Sequence, residues 1–300
     1  MSSNQILPPG LRETIEHELS CQISNLELIN GKGEVNIIYK IESTAGKFIL
    51  RLNDSNEYDR FKKEVWCYEY TAKVGVNGPR VFMIGTYNDK VFMVLEYIEG
   101  GNGKGIVSTP GLWRELGSVL RIIHRIPVRG FGEKIEDITS GTLDDWQVYI
   151  RSNLAALDDE YLIAKLIIND DSIKNIKEKL KLLLRKDFVF GLNHGDFSLA
   201  NTIANDKGVY VIDWGSAEAH IVPHHDFSVI LDESLDKTSQ EFEAFIDGYG
   251  VTLEEFRVMS EEIETLQLLE SLDKLRWALD KAPHRVDHYT RQFSKFVERL

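Results

Sequence analysis

One stretch constrains this chain more than any other: residues 188–217, FVFGLNHGDFSLANTIANDKGVYVIDWGSA. It opens with an apolar run from Phe188 to Leu192, crosses the polar loop His194-Gly195-Asp196, and reaches Asn201 five residues after that aspartate. Two short strand patterns then flank Asn205-Asp206-Lys207-Gly208, and the second ends in Ile212-Asp213-Trp214-Gly215. Turn residues between two β-type segments predict a tight hairpin. Such a hairpin returns Asp213, at the end of its second strand, to the side of Asn201, at the start of its first. An amide oxygen and a carboxylate then converge where a hard cation could sit. Mg²⁺ accepts oxygen ligands of this kind and leaves the remaining positions to water and substrate phosphates. Asp196 supplies the second carboxylate that phosphoryl transfer uses to orient a hydroxyl and take its proton. A lone loop aspartate is ordinarily a solvated turn residue. Three oxygen-bearing side chains at these offsets around a hairpin ask for a chemical reason.

The rest of the chain bounds what that reason can be. Its 300 residues suffice for two lobes with sizeable cores, and 43% hydrophobic with 28% charged residues is the balance of a globular protein. A net charge of −13 argues against general nucleic-acid binding, which needs basic surface, and suits a neutral or cationic small substrate. Cys21 and Cys67 form neither a disulfide framework nor a metal pattern and read as buried or helix-face thiols. The opening MSSNQILPPG lacks a basic segment followed by an apolar one, so no signal peptide is expected. No apolar run approaches the roughly 20 residues of a membrane span. A cytoplasmic protein with no membrane association and no obligate protein partner is the expectation.

Along the chain, residues 8–20 predict a short helix with Leu11, Ile15 and Leu19 on one face. From Leu26 to Asn53 the period shortens to that of strands, in three runs broken at Gly31-Lys32-Gly33 and at Ser43-Thr44-Ala45-Gly46. Gly31 and Gly33 form a candidate phosphate-covering loop, since glycine lets backbone N–H groups approach oxygens closely. Tyr58 to Val74 reads as a helix with Phe61, Val65, Tyr68 and Ala72 inward, followed by strands at Arg80–Thr86 and Val91–Glu96. The run Gly100-Gly101-Asn102-Gly103-Lys104-Gly105 lacks the following Lys-Ser/Thr of a P-loop and reads as a flexible connection. Helical patterns follow at 112–125, 143–157 and 172–185, and from Ser239 onward. His220, His224 and His225 suggest a metal, but Pro223 breaks any helix that would stack His220 over His224, so they read as structural.

The order Asp196, Asn201, then Asp213-x-Gly215 is that of protein kinases. Gly195 stands where the kinase loop has arginine and Trp214 where it has phenylalanine. The resulting His-Gly-Asp-x4-Asn and Ile-Asp-Trp resemble the aminoglycoside phosphotransferase and choline kinase-like family, as does the segment Ile126–Gly132. The resemblance spans nearly the whole chain. It implies an α+β, two-lobed protein kinase-like fold: a nucleotide-binding lobe over residues 1–97, with a five-stranded, mostly antiparallel sheet and a helix, and a larger, mainly helical catalytic and substrate-binding lobe over 98–300.

It also implies roles. Asp196 would be the catalytic base or positioner, and Asn201 and Asp213 the Mg²⁺ ligands. Arg51, where most such enzymes carry lysine, would pair with the phosphates and with Glu64 on the following helix. Strand alternation sets Arg51 opposite Leu50 and Leu52; Lys47 shares its face and is the fallback, as Glu69 is for Glu64. Backbone groups of Glu96 and Ile98 would hold the purine of ATP or GTP. Asp226 would brace the catalytic loop, with His124 a structural hydrogen-bonder. Asp232 and Glu270 are the acidic residues expected to meet an amine-bearing substrate. The implied activity is transfer of the γ-phosphoryl of a nucleoside triphosphate to a hydroxyl of an aminoglycoside-like acceptor, of the antibiotic-resistance type. Choline, homoserine, methylthioribose and macrolide acceptors are the alternatives, as is a non-catalytic nucleotide-binding pseudokinase. Protein kinase activity fits less well, because no Ala-Pro-Glu follows and the segment after Asp213 is short.

Overall fold

The alternating segments in the first third of the chain pair as one antiparallel sheet. Its strands are β1 (Ile23–Leu28), β2 (Ile37–Ser43), β3 (Gly46–Asp54), β4 (Val81–Tyr87) and β5 (Lys90–Glu96), in the order β1-β2-β3-β5-β4. The computed structural model describes residues 7–29, 36–135, 137–141, 146–158, 170–233 and 235–298. Period-2 alternation puts Phe48, Leu50 and Leu52 of β3 on one face with Tyr39, Ile41, Phe92 and Val94, and Leu11 and Ile15 of α1 (Pro9–Glu18) pack into the same core. Helix α2 (Tyr58–Lys73) is joined to the end of β3 by a single 3₁₀ turn.

The buried face of α2 differs from the expected one. Phe61 and Tyr68 are buried as read, but Lys63, Glu64, Cys67 and Thr71 complete the stripe, while Ala72 is exposed and Val65 only half-buried. A hydrophobic pattern assigns charged residues outward; here two of them face inward because each finds a partner there.

The described residues fall into two compact units. The first runs to Val107 and adds Leu199–Ala217; the second holds Ser108–Ser198 and Glu218–Leu300. This division differs from the expected 1–97 and 98–300 in that residues 98–107 and the hairpin of Leu199–Ala217 group with the sheet. The Gly100–Gly105 run, expected to be a flexible connection, is instead partly a strand. Here β6 (Gly101–Asn102) pairs with β8 (Thr202–Asn205), which pairs with β9 (Gly208–Val211). Asn102 Nδ2 donates to the carbonyls of Ala200 (2.7 Å) and Thr202 (2.9 Å). A Cβ at Gly100 would stand 2.6 Å from the Ala204 carbonyl oxygen, so glycine serves close approach here rather than flexibility.

Among the described residues the second unit is mainly helical, with β7 (Phe190–Asn193) and β10 (Glu218–Ile221) paired antiparallel. Its helices are α3 (Pro110–His124), α4 (Trp146–Ala156), α5 (Asp170–Leu183), α6 (His224–Glu233), α7 (Gln240–Tyr249), α8 (Leu253–Lys281) and α9 (Val286–Val297). Thr109 caps α3, and a Thr252/Glu255 capping box opens α8. The core gathers Trp146, Ile150, Ile176, Leu180, Leu269, Leu272 and Phe293.

Inside this unit Glu218, His220 and His225 bring ligand atoms within 4.8 Å of one another, a spacing that fits a metal ion. The rings decide otherwise. His220 and His225 stack with centroids 4.0 Å apart and planes within 16°, so their in-plane lone pairs cannot meet at one ion. His225 instead holds a proton. Its Nδ1 is 2.7 Å from Glu270 and its Nε2 3.4 Å from Glu218. Burial alone would lower its pKa, but the carboxylates of Glu270, Glu218 and Asp226 raise it to about 9. Burial holds the neighbouring His220 well below the ordinary imidazole value and so keeps it neutral.

Because His225 titrates higher folded than unfolded, its contribution to stability is complete below pH 6.5 and lost as pH rises through about 9. The groups facing it are Glu218 and His220 from β10, His224 and Asp226 from α6, and Glu270 from α8. Thermal unfolding between pH 6.5 and 9 should show stability falling by on the order of 3 kcal/mol. In His225→Gln that decline should flatten; an unchanged slope would assign it to another group.

Candidate active site

The site is built from β3 outward. With Leu50 and Leu52 committed to the core, the pleat turns Arg51 to the other face, where Glu64 of α2 meets it. Arg51 Nη1 lies 2.5 Å from Glu64 Oε2 and Nη2 lies 3.1 Å from Oε1, a two-pronged pair with both side chains less than 10% exposed. The same Nη2 lies 3.7 Å from Asp213 Oδ1. Burial disfavours the guanidinium charge, but Glu64 and Asp213 more than offset it and raise the Arg51 pKa above its ordinary value. Burial pushes the Glu64 carboxyl up, and Arg51 opposes this. A planar fork reaches two carboxylates at once in a way that a single ammonium does not. Lys47, the fallback cation, sits over the Tyr97 ring at 5.7 Å, and Glu69 is exposed.

The hairpin delivers Asp213. Thr202 pairs with Val211 and Asn205 with Gly208, whose φ of +120° suits glycine; Asn205 Oδ1 accepts the Lys207 N–H at 2.8 Å. Asn201 closes a 3₁₀ turn just before β8, and its carbonyl accepts the Ile212 N–H at 3.0 Å, which brings the residue beside Asp213. Asp213 is left-handed (φ 64°, ψ 69°), and its N–H donates to Tyr68 Oη at 3.0 Å. Its side chain is about half exposed, at 49%. A partly solvated carboxylate with an asparagine residue beside it offers oxygen donors of the kind that would fit Mg²⁺ with its retained waters.

In the helical unit β7 runs into His194-Gly195-Asp196. The backbone N–H groups of His194 and Gly195 donate to Asp226 at 2.9 and 2.8 Å. Gly195 has φ +78°, a left-handed conformation that accounts for glycine at this place. Asp226 is fully buried, and His124 Nε2 lies 2.9 Å from it. An ionised carboxylate only accepts, so Nε2 carries the hydrogen, and Nδ1 lies 2.9 Å from the Tyr249 hydroxyl. Burial would raise the Asp226 pKa, but the hydrogen bond and charge of His124 bring it down to about 2. Asp196, half-buried, follows directly on this anchored backbone.

The remaining expectations fall in several places. Glu96 ends β5, and its N–H is taken up by the Arg80 carbonyl at 2.8 Å, so a purine contact from it has to come through its carbonyl. Ile98 follows in the half-buried loop after β5. Gly31 and Gly33 lie outside the described residues, as does the side chain of Asp232. Glu270 is engaged by His225 and, at 3.4 Å, by Ser228 Oγ. Arg51, Glu64, Asn201 and Asp213 are thus gathered in the first unit, whereas Asp196 and Glu270 belong to the second. Sequence reasoning missed Tyr68 and Tyr249, whose hydroxyls anchor the Asp213 backbone and His124. Both look like ordinary apolar helix positions, and no local signal marks them.

Known proteins are similar to this chain in sequence and fold. The model of the phosphotransferase enzyme family matches residues 28–261. A probable ketoamine kinase of Enterococcus faecium is 25% identical over 244 residues, 73% of this chain and 83% of that protein. A probable ketoamine kinase of Staphylococcus aureus is 26% identical over 157 residues, 49% of this chain and 52% of that protein, so the match spans about half its length. Among solved structures, aminoglycoside phosphotransferase APH(4)-Ia superposes with a TM-score of 0.71 at 18% identity, covering 96% of this chain and 97% of that one. A candidate fructosamine-3-kinase of Haemophilus somnus superposes with a TM-score of 0.65 at 17% identity, covering 96% of each. At these identities the structural likeness shows the fold, a two-lobed kinase-like one. The family match covers most of the chain and includes Arg51, Glu64, Asp196, Asn201 and Asp213: this protein belongs to the phosphotransferase enzyme family.

Proposed function

We propose that this phosphotransferase is a small-molecule kinase that moves the γ-phosphoryl of ATP or GTP to a hydroxyl of an amine-bearing acceptor. The observation that carries the reading is the buried fork of Arg51, which joins Glu64 to Asp213. Arg51 holds the strand, the helix and the metal-side aspartate in one charged chain, and it offers positive charge to the phosphates. Asn201 and Asp213 would hold Mg²⁺, which neutralises charge on the transferring group. Asp196 orients the acceptor hydroxyl and takes its proton, on a backbone pinned by Asp226. A loose transition state asks little of the base beyond alignment, so the anchoring matters as much as basicity. Glu96 and Ile98 are assigned the purine edge, and Gly31 and Gly33 the cover over the phosphates. The complete set Asp196, Asn201 and Asp213 favours catalysis over a pseudokinase role.

The acceptor side draws on the helical unit. There Tyr149 shares a hydrogen bond with Asp273, and its phenol is held well above its ordinary value by burial and then by the charges of Asp273, Glu270 and Glu218. Carboxylates around an aromatic residue suit an ammonium group, in line with the net charge of −13. Glu270, and Asp232 more weakly, retain their assignment to the acceptor. Within this class a ketoamine is the first acceptor to test, because two sequence relatives carry that description and one of them matches over 73% of this chain. An aminoglycoside is the second, on the likeness to APH(4)-Ia.

Coupled nucleotide turnover with Mg²⁺, scanned over ketoamines, aminoglycosides and other hydroxylated amines, tests the reading. Stimulation by one class is the expected outcome; a failure to bind ATP or GTP at all would overturn it. In Asp196→Ala, kcat should fall about 10²–10⁴-fold while nucleotide affinity stays within a few-fold. A near-normal rate in that variant would remove Asp196 from the chemistry.

A further inference from the structure

We propose that Lys63 and Tyr68, on the inner face of α2, are positioning residues that hold the Asp213 turn in its metal-binding shape; this rests on the kinase reading above. Lys63 is 2% exposed, and its ammonium is aimed at two carbonyls just beyond Asp213: Gly215 at 2.7 Å and Ala217 at 3.1 Å. Tyr68, five residues along the helix and 5% exposed, accepts the Asp213 N–H. Burial, and next the Glu64 carboxylate, push its phenol above the ordinary value, so it stays a neutral hydroxyl able to accept that bond. Glu64, beside Lys63, completes the face by holding Arg51, whose other contact is the Asp213 carboxylate. One helix therefore touches the turn at the Asp213 amide, through Arg51 at its side chain, and at the carbonyls of Gly215 and Ala217.

The turn needs such support. Asp213 is a non-glycine residue in the left-handed region, a conformation that persists where its surroundings over-determine it. Gly215 lies beside it, where a Cβ would stand in ordinary contact, 3.4 Å from Asp213 Oδ1. A buried ammonium is costly, and a methionine would fill much the same volume without that cost. What lysine adds is a donor shared by the Gly215 and Ala217 carbonyls. In metal sites, groups that orient a ligand without touching the ion commonly carry 10–100-fold in affinity. Lys63 and Tyr68 stand in that relation to Asp213.

The test measures binding of AMP-PNP by calorimetry with and without Mg²⁺, so it needs no acceptor. In Lys63→Met and Tyr68→Phe, Mg²⁺-dependent affinity should fall at least about 10-fold, while metal-free affinity stays within about two-fold of the unmodified protein. A loss of metal-free and metal-dependent binding in equal measure, or a lowered melting temperature with Mg²⁺ dependence intact, would make the contacts merely structural and overturn the proposal. If Lys63→Met fails to fold, Tyr68→Phe decides, since it removes one oxygen and leaves the packing. Asp213→Asn separates the layers. If it shifts Mg²⁺ dependence while both α2 variants leave it alone, the positioning role fails and the kinase reading stands. If Asp213→Asn leaves Mg²⁺ dependence untouched, Asp213 is not the metal ligand, and the positioning role falls with that assignment.

Discussion

A buried ion pair, Arg51 with Glu64, is the contact on which the first unit depends. Taking two charges out of water costs several kcal/mol for each ion, and apolar residues of similar volume frequently stabilise a fold as well or better. The pair is therefore an expensive way to join a strand to a helix. Its geometry suggests what it is retained for. The fork gives each Glu64 oxygen a hydrogen bond and still directs an edge at Asp213, so the position of α2 and that of Asp213 are set by one group. Lysine could pair with Glu64 or lean toward Asp213, but its single ammonium would not span them in this way.

The helical unit solves the matching problem with a different charge. Asp226 takes two backbone N–H groups from the loop that carries Asp196 and is itself held by His124, which Tyr249 holds in turn. Its carboxyl is kept ionised by these donors despite complete burial, which makes it a rigid peg rather than a titrating group. Each unit thus holds one aspartate in place by way of a buried charge network. The left-handed conformations at Gly195 and Asp213 mark the two points where the backbone bends to meet those networks.

What could be read in the sequence follows from how local each signal is. The five strands, α2 and the Asn205–Gly208 turn were legible because alternation and turn chemistry act within a few residues. The return of Asp213 to the side of Asn201 was legible through the hairpin, and the pairing of Arg51 with Glu64 through resemblance. The inner face of α2 was not. A hydrophobic pattern has no place for a buried Lys63 or Glu64, whose partners lie in segments distant along the chain. The glycine run at 100–105 misled for a related reason: glycine is the same letter whether it supplies freedom or lets Gly100 pass against Ala204. His225 was read as structural from Pro223, and the carboxylates on either side of it emerge only from the positions of Glu218 and Glu270.

The central claim is that the Arg51–Glu64 pair is kept for nucleotide chemistry rather than for folding. Replacing both residues together, Arg51→Met with Glu64→Leu, removes the charges and keeps the volume. Thermal unfolding and calorimetric binding of Mg²⁺-AMP-PNP, compared across the two single variants and the double one, separate the two roles. The single variants should lose stability, by about 3–5 kcal/mol where a buried charge is left unpaired. The double variant should recover most of that stability and still fail to bind the Mg²⁺-nucleotide. Recovery of binding along with stability would contradict the account and leave the pair as a packing device.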